Sequence, residues 1–187
     1  MEQKSKYYDN IYRDSVKYAL PYGLINYFPV WNKASEWVSP GDVILDIGCG
    51  TGQFAKLLFD KFGYDIAYMG VDFSGVAIKM ARGLVEYPLL WMDAFKCIKK
   101  IDDDFDKYIM IEFLEHIDED IKFMSLIPEG KDIIFSVPNY ESKAHVRTFK
   151  KQSDIVDRYG DLISISEVFK FNFTEARFIT LVKAKRV

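Results

Sequence analysis

The chain has 187 residues, 49% of them hydrophobic and 28% charged, which excludes a disordered or low-complexity protein and suits a single domain with a sizeable core. Its net charge of −3 gives no global attraction to nucleic acid or to an anionic membrane. The two cysteines, Cys49 and Cys97, form no CxxC pair, so neither a disulfide framework nor a zinc site is indicated, and a reducing, cytoplasmic location is expected. The first six residues are polar with no apolar signal core, and no apolar run is long enough for a bilayer span.

Residues 1–38 are rich in aromatics, among them Tyr7, Tyr8, Tyr12, Tyr18, Tyr22, Tyr27, Phe28, Trp31 and Trp37. Pro21-Tyr22-Gly23 breaks this stretch into two helical pieces around a turn. The segment reads either as a lid, with Tyr7, Tyr8 and Tyr12 foremost, or as aromatic faces packed on a sheet. From Asp42 onward, strands and helices alternate. Val43–Ile47, closed by Gly48, is a short apolar run suited to a buried parallel strand. Phe54, Leu57 and Leu58 follow at helical spacing. Ile66–Val71 is the second strand. Ser74 caps a helix with the stripe Ala77, Met80, Ala81, Leu84 and Val85. Leu89–Met92 and Tyr108–Ile111 are the third and fourth strands, and Ile117–Ile127 is a helix stopped by Pro128. Ile133–Val137 is the fifth strand, stopped by Pro138, and Thr148 caps a helix through Tyr159. Leu162–Phe171 and Arg177–Val187 alternate like a terminal antiparallel pair.

This order predicts an α/β fold. It is a doubly wound, mostly parallel, seven-stranded sheet with helices on both faces and a terminal antiparallel strand. The organisation expected is one domain over 1–187, with an N-terminal helical cap over 1–38 and a core over 39–187. Ligands of such sheets bind at the carboxyl ends of the strands.

The strongest motif is Asp46-Ile47-Gly48-Cys49-Gly50-Thr51-Gly52-Gln53, between a strand and a helix. Its glycines let a ligand approach the backbone, and the helix that follows offers free N–H groups. Asp72, in Gly70-Val71-Asp72-Phe73-Ser74, closes the second strand where a carboxylate accepts ribose hydroxyls. The dinucleotide fingerprint is G-x-G-x-x-G, whereas here the sixth position is Gln53. Asp46 is also poorly placed beside a pyrophosphate and suits a cationic amino-acid ligand. An NAD-binding oxidoreductase is therefore the weaker alternative.

The Asp-Ile-Gly-Cys-Gly-Thr-Gly loop resembles the first motif of the class I S-adenosylmethionine-dependent methyltransferases. The similarity continues in register through Gly70–Ser74, Trp91-Met92-Asp93-Ala94-Phe95, Phe105–Tyr108 to Glu112-Phe113-Leu114-Glu115-His116, and Ser136-Val137-Pro138-Asn139. The resemblance implies S-adenosyl-L-methionine as cofactor and S-adenosyl-L-homocysteine as product. It places cofactor contacts at Asp46, Gly48, Cys49, Gly50, Gly52 and Gln53, at Asp72 and Phe73, at Asp93, Ala94 and Phe95, and at Glu112 and Phe113. Within it, Asp93 accepts the adenine amino protons and Phe73 and Phe95 flank the ring. The resemblance is closest to small-molecule methyltransferases of the quinone-biosynthesis type, which implies a small-molecule acceptor, with oxygen favoured, in a monomer or homodimer with no membrane or nucleic-acid partner.

Glu112, Glu115 and His116 share one face if their segment turns helically, and His116 and Glu115 are the expected catalytic residues. An imidazole of ordinary basicity is a suitable general base for a hydroxyl. Glu112, Glu115, His116 and His145 also resemble the Mg²⁺ or Mn²⁺ site of small-RNA 2′-O-methyltransferases. The segment before His145 is short, however, no RNA-binding module is present, and His145-Val146-Arg147-Thr148-Phe149 resembles metal-free relatives, so no metal is expected. An RNA 2′-O-methyltransferase and a non-catalytic cofactor-binding module stand as alternatives. The Asn-Pro-Pro-Tyr-like element of DNA amino-methyltransferases is missing after the fourth strand. Lys143, Arg147, Lys150 and Lys151 read as a solvated helix face or as an attractor for an acidic acceptor.

Overall fold

The computed structural model describes residues 2–101 and 104–187; Met1, the first residue of the expected N-terminal segment, lies outside them. The chain divides into two compact units, residues 3–105 and residues 106–187 with Glu2.

The first unit opens with α1 (Ser5–Asp14) and α2 (Phe28–Ser35). Between them the chain makes two single turns of 3₁₀ helix, over 16–19 and 22–24, around the break expected at Pro21. Then come β1 (Val43–Ile47), α3 (Gln53–Phe62), β2 (Ala67–Asp72), α4 (Gly75–Ala81), β3 (Leu89–Trp91) and α5 (Ala94–Lys100). The strands run parallel in the order β3-β2-β1. Their pairing sets Asp46 beside Gly70 and Asp72 beside Trp91, so the strand-end acids are fixed by register. Ile44 and Leu45 of β1, Ala55 and Leu58 of α3, and Ala77 and Ile78 of α4 are buried. The helix residues are those that the 3.6 period places inward, while Ile44 and Leu45, on opposite faces of β1, are both buried because both faces of the strand are covered.

The second unit holds β4 (Lys107–Met110), α6 (Asp120–Ser125), β5 (Asp132–Pro138), α7 (Gln152–Tyr159), β6 (Ile163–Asn172) and β7 (Phe178–Arg186). Its strand order is β4-β5-β7-β6. β4 and β5 are parallel, and β7 is antiparallel to both of its neighbours. The seven strands are those of the mostly parallel, Rossmann-like arrangement with antiparallel terminal strands that the sequence predicts. Asp120 organises the helices of this unit. It accepts from Arg158 Nε at 2.7 Å and Nη2 at 2.6 Å, and from the Tyr159 hydroxyl at 2.6 Å. A buried carboxylate needs such a full set of donors.

Several element bounds differ from the sequence reading. The α4 helix ends at Ala81, so Leu84 and Val85 lie beyond it; Gly83 breaks an apolar periodicity that runs on past the helix. The helix expected over 117–127 is only α6, because Ile117 is extended and the preceding residues form a separate turn. Thr148 caps nothing: α7 starts after Lys151, and Asp154 accepts from the Lys150 and Lys151 N–H groups at 2.8 and 3.1 Å. Lys143, Arg147, Lys150 and Lys151 thus belong to a loop and not to a helix face. Among the described residues no helix is long and apolar enough to cross a membrane.

Candidate functional site

In the first unit the glycine loop leaves β1 and enters α3. Gly48, Gly50 and Gly52 all have positive φ, and at Gly52 the need for glycine is double. Its φ is +81°, and a Cβ there would stand 2.7 Å from the Ala81 Cβ. The loop is folded onto the second strand: the Gly48 and Cys49 N–H groups donate to the Val71 carbonyl at 2.8 and 3.1 Å. Cys49 is buried and supports the loop from beneath.

Asp72 ties the loop to the next helix. One carboxylate oxygen accepts the Gly50 N–H at 3.0 Å and the other accepts the Ser74 N–H at 2.8 Å. Each oxygen retains further acceptor capacity. Burial pushes the Asp72 carboxyl up to about 6, against the lowering effect of those two N–H donors. Asp46 is also buried, and the Tyr68 hydroxyl donates to it at 2.5 Å. Burial raises its carboxyl to about 7, with the Tyr68 bond pulling the other way. A buried acid poised in this range favours a cation beside it.

Two of the three residues expected near an adenine ring start α5. Asp93 caps that helix by accepting the Lys96 N–H at 3.0 Å, and Ala94 and Phe95 are half-buried behind it. Phe73 is half-buried after Asp72. Sequence reasoning missed Trp91, whose indole N–H donates to the Phe73 carbonyl at 3.0 Å while the ring stays 69% exposed. That places a broad aromatic surface next to Gly75, where a Cβ would meet the ring at 3.2 Å.

The N-terminal segment covers these elements. The Tyr8 ring packs on Phe73 with centroids 5.3 Å apart, and the Tyr12 hydroxyl would lie 3.6 Å from a Cβ on Gly50. Asp9 accepts from the Ser74 hydroxyl at 2.5 Å and from the Val76 N–H at 3.3 Å. The Gln53 amide donates to the carbonyls of Leu20 at 2.8 Å, Tyr18 at 3.2 Å and Lys17 at 3.4 Å. It tethers the N-terminal segment, a role with no local sequence signal.

In the second unit, β4 gives way to the Glu-Phe-Leu-Glu-His segment. This is not the continuous helix turn considered from spacing. Glu112 has φ +56°, a left-handed conformation that costs a non-glycine residue about 1 kcal/mol or more, and Leu114–His116 then form a 3₁₀ turn. Ser136 of β5 holds Glu112 there, accepting its N–H at 2.9 Å and donating to its carboxylate at 3.1 Å. Phe113 packs edge-on against Phe123 of α6, at 5.1 Å between centroids.

The loop after β5 returns against this turn. Val146 N–H donates to the Glu115 carbonyl at 2.8 Å, and Arg147 donates to the carbonyls of Leu114, Ile117 and Asp118 at 2.5, 2.6 and 3.0 Å. His145 and His116 thereby meet, with ring centroids 5.0 Å apart. Glu115 is fully buried; its carboxylate receives no well-aligned hydrogen bond, and its own backbone N–H, the Glu112 carboxyl and the Arg147 charge offset the burial only in part. Burial pushes its carboxyl up to about 8. Burial lowers both histidines, so both rings are neutral at neutral pH.

Residues 44–127 match the family described as a methyltransferase domain. The match runs from β1 to just beyond α6 and includes the glycine loop, Asp72 and the Glu112–His116 turn. Among curated proteins, the chloroplastic 2-phytyl-1,4-beta-naphthoquinone methyltransferase of Arabidopsis thaliana is 36% identical over 78 residues, which is 40% of this chain and 29% of that protein. The cyclopropane-fatty-acyl-phospholipid synthase of Escherichia coli (strain K12) is 31% identical over 83 residues, 43% of this chain and 20% of that protein. The chain thus spans less than a third of the length of these curated relatives. Its fold is similar throughout to the magnesium protoporphyrin IX methyltransferase of Synechocystis PCC 6803 with bound SAM. That structure covers 100% of this chain and 99% of its own, with a TM-score of 0.73 and 17% identity.

Proposed function

We propose that the chain transfers a methyl group from S-adenosyl-L-methionine to a hydroxyl of a small molecule and releases S-adenosyl-L-homocysteine. The observation that carries the cofactor assignment is Asp72. Its carboxylate is pinned at a strand end by one N–H from the glycine loop and one from the next helix, with acceptor capacity left for two ribose hydroxyls. Asp46 would face the cationic amino-acid end of the cofactor, and its raised basicity without a ligand supports this. Phe73, Trp91 and Phe95 would flank the adenine, with Asp93 taking its amino protons through the oxygen not used as a cap. Glu112 and Phe113 are assigned to the cofactor on the family resemblance.

Oxygen is favoured as the acceptor atom because His116 suits a base. Its Nδ1–H donates to the Ala144 carbonyl at 3.0 Å, which puts the lone pair on Nε2. In the transfer the acceptor oxygen attacks the methyl carbon, the carbon–sulfur bond breaks, and the hydroxyl proton passes to Nε2. Glu115, whose Oε1 is 3.9 Å from Nε2, would when ionised stabilise the imidazolium that forms as the proton arrives. The quinone and porphyrin methyltransferases among the similar proteins support a small-molecule acceptor. The two buried, unbridged thiols suit a reducing compartment, and the cytoplasm is the location this reading favours.

A transfer assay with labelled cofactor tests the reading on phenols, carboxylic acids, amines and RNA oligonucleotides. Label in an oxygen ester or ether of a small acceptor is the expected result. Transfer to RNA or to nitrogen alone would replace it.

A further inference from the structure

We propose that Arg177 and Tyr140 form a subsite for a flat aromatic acceptor that carries a carboxylate, with the carboxylate on Arg177 and the ring along Tyr140. All the groups involved belong to the second unit. The guanidinium carbon of Arg177 stands 5.5 Å from the centre of the Tyr140 ring, over its face. Tyr140 meets His145 at 5.5 Å between ring centres, and His145 meets His116 at 5.0 Å. The His145 ring is fixed in this row by the bond between its Nδ1 and the Tyr140 carbonyl at 2.9 Å. A line of rings thus begins at the proposed base and ends at a cation. Tyr140, His145 and His116 are half-buried, so each leaves part of its surface open.

The cation is held in place, and its charge is uncommitted. β5 and β7 pair antiparallel with Pro138 opposite Ile179, which brings the residues after β5 against the turn before β7. Asn139 staples the two. Its N–H and its side-chain amide donate to the carbonyls of Phe178 at 3.1 Å and Ala176 at 3.0 Å, and its Oδ1 accepts the Phe178 N–H at 2.7 Å. These bonds bracket Arg177. Within the turn, the Thr174 Oγ1 accepts the Arg177 N–H at 3.0 Å, and the Arg177 carbonyl accepts the Phe173 N–H at 2.8 Å. A turn fixed at this many points presents its side chain from one place, so less freedom is lost when an anion binds. Among the described residues, no carboxylate or carbonyl accepts from the Arg177 guanidinium. Arg147 differs: it is spent on the carbonyls of Leu114, Ile117 and Asp118 and on Asp120.

The two ends of the row define the ligand. A guanidinium offers parallel N–H donors that match a carboxylate. A wall of rings with few polar groups orients a flat acceptor by its faces and edges. The carboxylate is the handle, and a hydroxyl at the other end of the acceptor is the group that meets His116. That use of the subsite rests on the methyl-transfer reading, whereas binding of the acid does not.

The test uses the full chain with para-hydroxybenzoic, para-hydroxycinnamic and hydroxynaphthoic acids, each beside its neutral carboxamide. Calorimetry reports binding, and labelled S-adenosyl-L-methionine reports transfer. The acids are expected to bind at least about tenfold more tightly than their amides. In Arg177→Gln acid and amide should bind alike, and Arg177→Lys should keep part of the preference. A purely structural role would instead lower acid and amide together. Arg177 is exposed, and melting curves establish that its variants are folded. No binding of any acid at millimolar concentration, equal binding of acid and amide, or an acid preference that a folded Arg177→Gln retains would overturn the proposal. Label transferred to neutral phenols with no preference for acids would uphold the methyl-transfer reading and overturn the subsite. Acid binding that depends on Arg177, in a chain that does not bind S-adenosyl-L-methionine, would do the reverse.

Discussion

Replacing Asp72 by Asn separates binding from folding. The carboxylate is disfavoured by burial, and a rise from 3.8 to about 6 corresponds to about 3 kcal/mol of cost to the fold when the group is ionised. The folded-state value lies above the unfolded one, so the stabilising contribution is full below the unfolded value and is lost as pH rises through about 6. The amide removes that cost at neutral pH. It also weakens one of the bonds from the Gly50 and Ser74 N–H groups by about 1 kcal/mol, because the remaining oxygen is uncharged, and replaces the other by an NH2 facing an N–H, at about 2 kcal/mol. The two effects nearly cancel, and Asp72→Asn is expected to melt within about 1 kcal/mol of the parent at neutral pH. Cofactor binding has no such compensation. One ribose hydroxyl loses its charged acceptor, a loss of about 2–3 kcal/mol or about 30- to 150-fold in affinity. Calorimetry with S-adenosyl-L-homocysteine, beside melting curves at several pH values, measures both quantities. A stable variant that keeps its affinity within threefold would refute the role given to Asp72.

Four further outcomes follow from the same unit. Because Asp46 titrates at about 7, a cationic cofactor should bind more tightly as pH rises from about 6 to about 8. The proton released shows as buffer-dependent calorimetric heat; a flat profile would remove Asp46 from the site. Gly52→Ala adds left-handed strain to a 2.7 Å contact with Ala81 and should cost about 2–4 kcal/mol in urea unfolding. Gly23→Ala, with nothing within 4 Å, should change stability by less than about 0.5 kcal/mol. Gln53→Glu turns a donor facing the Leu20 and Tyr18 carbonyls into an acceptor, so hydrogen exchange should quicken in the N-terminal segment while β1 stays protected. Equal exchange in both chains would deny the tether.

The strand–loop–helix around Asp46 to Gln53 was legible because its signals are local: an apolar run, three glycines, then a helical period. The strand-end acids were legible for the same reason, since register follows from the strand pattern. What the sequence hid depends on distant partners. The left-handed Glu112 is held by Ser136, 24 residues on, so spacing alone suggested a helix turn that does not form. His145 reaches His116 only because the loop after β5 folds back through Val146 and Arg147, and Arg147 read as a solvated charge when its bonds are to backbone carbonyls. The bonds of the Gln53 amide to the carbonyls of residues 17, 18 and 20 were equally hidden, since their partners lie more than 30 residues away. At the end of α4 the apolar stripe continued past the helix, and only Gly83 marked the break.

The measurement that tests the central claim most directly is calorimetric binding of S-adenosyl-L-methionine, S-adenosyl-L-homocysteine and NAD(H) to the full chain. Selective binding of the two sulfur nucleosides is predicted, weakened in Asp72→Asn. Binding of NAD(H) in preference to them, or of none of the three, would contradict it.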